Sequence, residues 1–363
     1  MRIIHSLEGI SWSGGQQQTL FLCQGMVQAG HEVLLVCPAG SVLAQRAAAV
    51  GVRVQPVPFR RELDPATLLG LYRVFLAFRP DLVNVHRAWA HTMWALVALV
   101  ARFRGLIVTR RVLFRPDFNP ISLVKYRTPA VRGYIAVSEA VAARLASLGI
   151  PGRRVKVVYP ATDTDRFDPD RVPPLREPLP TPPGAVIALM IGNYHPNKGH
   201  LVLLDAFRQV APQWPDLHLV LAGTGTDGPA LRERVTTAGL TGRVHLLGFR
   251  DDVPALIAAS RFTINASFEE GLAGTIRESA AMGVPVLASD NASNQELGRR
   301  LPLVFFRTGS APDLAAALLR FRQHAPSPAE RQALRRAAIA SFSVPAMVEA
   351  TLAAYRALVP ELS

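Results

Sequence analysis

Two glutamates eight residues apart, Glu270 and Glu278, stand in the stretch FEEGLAGTIRESAAMGVPV (268–286), with glycines between them and Gly-Val-Pro behind. Carboxylates accept hydrogen bonds from hydroxyls. Gly271 and Gly274 let the backbone turn tightly into a helix that starts near Thr275 and stops at Gly283, with Pro285 beyond. The N–H groups of residues 272–276, from Leu272 through Ala273 and Thr275, would then be free at a helix N-terminus, where anions bind. One elongated ligand could use all of this, and a phosphate flanked by sugars meets both demands. The plainer alternative is a surface Glu270 and a solvated Glu278 that favours the helix dipole.

Three further stretches carry polar groups in ligand-binding positions. GNYHPNKGH (192–200) joins Gly192, Asn193, Lys198 and Gly199. Lysine is rare here, three against 37 arginines, and a compact ammonium kept at this loop suits a phosphate. SWSGGQQQ (11–18) sets Gly14 and Gly15 ahead of a helix but lacks the dinucleotide fingerprint and its acidic partner, which argues against NAD or FAD. VNVHRAWAH (83–91) puts His86 at a strand end, free to bond a ligand or satisfied by neighbouring backbone. TRRVLFRPDFNPISLVKYR (109–127) interleaves Arg110, Arg111, Arg115, Lys125 and Arg127 with Phe114, Phe118 and Tyr126. Such a segment suits a phosphorylated or lipid-linked acceptor, or a nucleic acid. No metal-ligand cluster, Ser-His-Asp arrangement or Walker A motif stands out.

These loops need strands to carry them. RIIHSL (2–7) and AVIALMIG (185–192) each open a half with a short apolar strand, a Gly-containing loop and a helix, the second helix running from about His200 to Val210. EVLLVCP, DLVNVH, LIVTR and GYIAVS follow in the first half, and HLVLAG, VHLLGF, FTINAS, PVLAS and LVFF in the second. Nearly continuous apolar strands alternating with helices indicate parallel sheets covered on both faces. Between the halves lies DRVPPLREPLPTPPG, with six prolines in residues 173–183, which no helix or central strand survives. The expected organisation is an α/β chain of two doubly wound domains facing a central cleft: 1–170, a Pro-rich linker 171–184, 185–340, and a C-terminal helix, 341–363, packing back on the first domain.

At 363 residues, 49% hydrophobic and 18% charged, the chain is long and apolar enough for two cores. Its longest apolar run, Met93–Ala101, is about half of the ~20 residues that span a bilayer, and two cysteines, Cys23 and Cys37, make no disulfide framework. Both features suggest the cytoplasm. The net charge is +13, and residues 1–172 hold 22 Lys+Arg against 11 Asp+Glu while 173–363 hold 18 against 16. A basic first half can meet nucleic acid, anionic membrane or an acidic substrate, but the phosphate-site loops lie mostly in the neutral half, which disfavours nucleic acid.

Taken in order, the SGG loop, GHEV, DLVNVH, IAVSEAVAARL (135–145), VVYPATDTDRF (157–167), GNYHPNKG, HLVLAGTG, VHLLGF and EEGLAGTIRESAAMGVPVLASD resemble the retaining nucleotide-sugar glycosyltransferases of family 4. The resemblance implies the GT-B fold of two Rossmann-like domains. It implies that Glu278 binds the ribose of a nucleoside-diphosphate sugar, Glu270 the transferred sugar, and Lys198 the diphosphate, with amides of 272–275 beside both. Gly14 and Gly15 would let the first domain close over the donor, and His86 would line the sugar pocket. Retention would proceed at the front face, with no obligatory metal and no cofactor beyond the donor itself. Three positions depart from the pattern: Asn193 replaces the usual Arg, EGLA with Gly274 replaces E-G-F-G, and Arg110 and Arg111 stand where many members carry a histidine. The arginine pair, with Arg115, suits an anionic acceptor. The expected activity is therefore hexosyl transfer to a lipid-linked or lipopolysaccharide-type glycan, by a cytoplasmic enzyme in peripheral contact with the anionic inner membrane face. A nucleotide-sugar epimerase, a soluble-acceptor synthase, or a non-catalytic binding protein of the same fold are the alternatives.

Overall fold

The structure, a computed structural model, describes residues 1–111, 125–323 and 326–362. It forms two compact units, Met1–Ala161 with Val344–Ser363, and Thr162–Ser343. The proline-rich residues 171–184 fall in the second unit, and helix Val344–Leu358 in the first.

In the first unit, β1 (Arg2–Ser6), β2 (Glu32–Cys37), β3 (Arg53–Pro56), β4 (Leu82–Val85), β5 (Leu106–Arg110), β6 (Val131–Ala136) and β7 (Val155–Val157) form one parallel sheet in the order β3-β2-β1-β4-β5-β6-β7. Ile3 pairs with Val33 on one side and Leu82 on the other. The central strands are buried along nearly their whole length because helices cover both faces. Helices α3 (Pro65–Phe78) and α4 (Ala88–Val100) cover one face, with Trp94 and Tyr134 in its core. Helices α1 (Gly14–Gln28) and α2 (Val42–Ala49) and helix Val344–Leu358 cover the other. The C-terminal helix lies close on α1, where a side chain at Gly25 would come within 2.6 Å of Val348, and the Asn84 amide donates to the Tyr355 hydroxyl at 2.6 Å. The edge strands β3 and β7 have no apolar run to announce them, since an edge strand is only half covered.

The second unit repeats the plan. β8 (Val186–Ile191), β9 (Leu217–Ala222), β10 (Val244–Gly248), β11 (Phe262–Asn265), β12 (Val286–Ser289) and β13 (Val304–Phe306) lie parallel in the order β10-β9-β8-β11-β12-β13. In both sheets the strand order reverses once, between β1 and β4 and between β8 and β11. The crevice beyond the carboxyl ends of such a pair is where doubly wound sheets bind ligands.

Helices Pro328–Phe342 and Val344–Leu358 are separated only by Ser343, whose extended backbone (φ −70°, ψ 161°) interrupts an apolar stretch of membrane-spanning length. Leu334, Ala338 and Phe342 are buried in the second unit, and Met347, Leu352 and Tyr355 in the first.

Candidate functional site

At the second unit's reversal point the loops after β8, β9 and β11 touch backbone to backbone, and glycine makes that possible. Gly199 has φ +74°, and a β-carbon there would fall 2.1 Å from the Ala266 carbonyl oxygen. Gly223, φ +147°, would put one 2.2 Å from the carbonyl oxygen of Gly192. The Phe268 N–H donates to the Asn197 carbonyl at 2.8 Å, and the Thr224 N–H to the Asn193 side-chain oxygen at 3.1 Å. Asn193 thus staples two loops together through its carbonyl.

This packing brings Lys198 to Glu270. Lys198 Nζ lies 2.7 Å from Glu270 Oε1, which also accepts from Ser267 Oγ at 2.7 Å and faces Asn265 Nδ2 at 3.5 Å. Behind it, Asn294 Nδ2 donates to Asn265 Oδ1 at 3.1 Å, and Ser289 Oγ to the Ser267 carbonyl at 2.6 Å. Sequence reading passed over these supports; the signal was a buried asparagine at the end of an apolar strand, FTIN.

The helix that follows runs Gly274–Ala281, one residue earlier at its start than expected. Its N-cap, Ala273, is buried and supplies no side-chain acceptor, and its first turn holds no acid, so its leading amides lack a local side-chain partner. Glu278 folds back toward that end: a β-carbon on Gly274 would lie 3.8 Å from both Glu278 Oε1 and Arg277 Nη2. Burial pushes the Glu278 carboxyl up, against the pull of Arg277 and then Arg166. Arg277, itself buried, donates to Thr162 Oγ1 at 3.3 Å and is pushed down to about 10 by desolvation. Gly271, Leu272 and Thr275 are half-buried around the same turn.

In the first unit Ser13 caps α1 by accepting from the Gln16 N–H, so Gly14 and Gly15 are its first residues. A side chain at Gly15 would come within 3.8 Å of Arg111 Cδ. Arg111 Nη2 lies 3.4 Å from His86 Nδ1, His86 Nε2 lies 3.0 Å from His5 Nδ1, and His5 Nε2 lies 3.4 Å from Met26 Sδ. A guanidinium only donates, so the direction runs Arg111 to His86 to His5, with both imidazoles neutral and protonated on Nε2. Burial first, then Arg111, drives the His86 pKa well down and that of His5 to about 3. Both ring nitrogens of His86 therefore face protein partners, and only 6% of the residue is exposed. These partners are side chains rather than neighbouring backbone. Arg110 is likewise buried, with Nη2 3.0 Å from His91 Nδ1 and its guanidinium 5.0 Å from the Tyr126 ring centre. Arg111 is half-buried and pushed down to about 10 by desolvation. Arg115, Phe114 and Phe118 lie outside the described residues.

The expected residues therefore fall into two sets: Lys198, Glu270, Glu278 and the 271–275 turn in the second unit, and Gly14, Gly15, His86, Arg110 and Arg111 in the first. By unit the charge divides more sharply than by half, with 21 Lys+Arg against 9 Asp+Glu in the first and 19 against 18 in the second.

Comparison with known proteins matches residues 12–166 to the model described as Glycosyltransferase Family 4, and residues 185–324 to that described as Glycosyl transferases group 1. The chain is 30% identical over 155 residues to the lipopolysaccharide core biosynthesis glycosyltransferase LpsE of Rhizobium meliloti, covering 43% of each chain. It is 28% identical to the 2-deoxystreptamine glucosyltransferase of Streptomyces kanamyceticus, over 74% of this chain and 78% of that one. With the phosphatidyl-myo-inositol mannosyltransferase of Mycolicibacterium smegmatis it shares 27% identity over 84% and 80%. The structure of Anabaena Alr3699/HepE in complex with UDP superposes with a TM-score of 0.80 at 20% identity, over 97% of this chain and 99% of that one. The matched regions run through both sheets and cover most of the sequence, and the chain belongs to the family 4, group 1 glycosyltransferases of the GT-B fold.

Proposed function

We propose that the protein transfers a hexosyl group, with retention, from a nucleoside-diphosphate sugar to a hydroxyl of a lipid-linked or lipopolysaccharide-type glycan. The observation that carries this is the meeting of Lys198, Glu270 and the uncapped helix Gly274–Ala281 at the β8/β11 reversal point. A cation and a row of amides suit a diphosphate. Two carboxylates suit the hydroxyls on either side of it.

Each residue then has a task. Glu278 accepts from the ribose hydroxyls. Lys198 and the amides of 272–275 take the diphosphate, and Glu270, once Lys198 turns to phosphate, accepts from the sugar. Asn193 holds its loop against the β9 loop. The acceptor oxygen attacks the anomeric carbon as the bond from that carbon to the phosphate oxygen breaks, and the acceptor's proton passes to the leaving phosphate. Negative charge grows on that phosphate, where Lys198 and the helix amides stabilise it. Because these groups supply the counter-charge, donor binding is expected to persist in EDTA.

In the first unit His86 is read as a positioning residue, because it links Arg111, which lies against Gly15, to His5. Arg111 is the acceptor-side cation of choice, and the excess charge of that unit suits an anionic acceptor at the cytoplasmic membrane face. The relatives that act in lipopolysaccharide core and phosphatidyl-myo-inositol pathways support this acceptor class. The 2-deoxystreptamine enzyme keeps a soluble acceptor as the second reading. The Anabaena complex supports UDP as the first donor base to try.

The test is thermal unfolding with UDP, GDP, ADP and CMP and their sugar conjugates, with and without EDTA, for wild type and Glu278→Ala. A nucleotide at 100 times its dissociation constant adds about 2.7 kcal/mol. Stabilisation by one nucleoside diphosphate, kept in EDTA and lost in the variant, is the expected result; no response from folded protein to any of them overturns the reading.

A further inference from the structure

Helices α3 and α4 pack side by side, and Phe75 of α3 meets Phe103, three residues past α4, edge to face at 5.1 Å between ring centres. Their outer faces are unusually apolar. Leu69 and Leu76 on α3, and Leu96, Leu99 and Val100 on α4, are between 38% and 74% exposed. Their spacings of three, four and seven residues put each group on one stripe of its helix. Scattered exposed leucines need no explanation, whereas stripes on two helices that pack together are the kind of grouping that asks for one.

The rim is cationic. Arg73 sits between Leu69 and Leu76 on the same stripe, Arg79 ends α3, and Arg102 and Arg104 follow α4, all exposed. The nearby acids are engaged: Glu62 lies 3.7 Å from Lys125, and Asp81 accepts from the Arg2 N–H at 2.7 Å. The backbone adds an independent sign. Among the described residues the non-glycine positions with positive φ are Leu63 (66°), Arg79 (48°) and Arg102 (52°), one before α3 and one after each helix. Fourteen glycines take such conformations elsewhere in the chain. At these three exposed positions a left-handed backbone that favours glycine is occupied by a leucine and two arginines.

We propose that the α3–α4 face is the surface by which this protein lies on an anionic lipid bilayer, its leucines and valine entering the headgroup boundary and its arginines meeting lipid phosphates. Helices of 14 and 13 residues are too short to span, which takes about 20, but suit binding in the interface plane. A second copy is the poorer occupant, because a two-fold contact would set each arginine cluster against itself. The proposal extends the membrane-side acceptor reading above and is tested apart from it.

The experiment is co-sedimentation with vesicles of phosphatidylcholine alone and of equimolar phosphatidylcholine and phosphatidylglycerol. Two variants are compared with wild type: Leu76→Ser/Leu99→Ser/Val100→Ser, and Arg73→Gln/Arg79→Gln/Arg102→Gln/Arg104→Gln. Val27→Ser/Val50→Ser, exposed on helices of the opposite sheet face, is the control. Wild type and control should pellet with the anionic vesicles only. Each arginine near an anionic surface contributes about 1 kcal/mol, so the arginine variant should bind at least about a hundredfold more weakly, and the serine variant at least about tenfold. Circular dichroism and UDP-induced thermal shift are read on the same samples. Equal binding by folded variants and wild type, or no binding by wild type, overturns the proposal. So does a dimer in solution that the serine variant makes monomeric. Vesicle binding without any UDP response would sink the donor reading and leave this one standing.

Discussion

Lys198 Nζ and Glu270 Oε1 lie 2.7 Å apart, in a chain where 72 residues separate them. The ion pair neutralises, before donor arrives, the ammonium proposed to receive the diphosphate. Glu270→Gln removes that competitor, so UDP affinity should hold or rise while transfer falls by at least about a hundredfold. Lys198→Ala should weaken UDP by about tenfold or more, in line with the loss of one charge-assisted contact. Isothermal titration beside a transfer assay separates the two effects. A matched loss of UDP affinity in Glu270→Gln would show that the pair acts as a unit.

Glu278 is held uphill. Because burial raises its carboxyl pKa, the folded state binds its proton more tightly than the unfolded one, so this group's contribution to stability falls as pH rises from the ordinary carboxylate range through its raised value. Glu278→Gln should therefore raise the unfolding temperature at neutral pH while abolishing the UDP-dependent shift. In wild type, UDP affinity should fall on acidification at a higher pH than an ordinary carboxylate would give. Differential scanning calorimetry at several pH values, with and without UDP, reads both.

Gly199→Ala should be costly out of proportion to one methyl group. The substitution meets the Ala266 carbonyl and a positive φ at once. A loss of about 2 kcal/mol or more is expected, together with weaker UDP binding because Lys198 is the preceding residue. Gly239→Ala, at φ +69° but with open space around it, supplies the comparison for backbone strain alone. Urea unfolding of both variants checks the difference.

Buried histidines set the acid limit. His5 is pushed down to about 3 and His200 and His245 to about 4, chiefly by desolvation. Their folded pKa values lie below the unfolded value near 6.5, so the unfolded chain takes up protons first and stability falls as pH drops from about 6.5 toward 4. Each contributes a slope of about 1.4 kcal/mol per pH unit once fully engaged. His245→Gln should flatten that slope by nearly one proton, measured by urea unfolding between pH 7 and 5.

Much of this was legible in the order of residues. Apolar runs punctuated by Gly and Pro depend on neighbours along the chain, so the strands that bear Glu270, Lys198 and His86, the helix from His200 to Val210 and the break near Ser343 could be read directly. The strands β3 and β7 could not, because half-covered edges need no apolar run. Side-chain partners were out of reach for a different reason: they join residues distant in sequence. Only the sheet order sets β8 beside β11 and so gives Lys198 to Glu270; only the β1–β4 pairing sets His5 against His86, with Arg111, just past the end of β5, completing the chain of donors. Burial is likewise a property of the whole fold, and it decided that Arg110 faces His91 and Tyr126 while the leucines of α3 and α4 face outward.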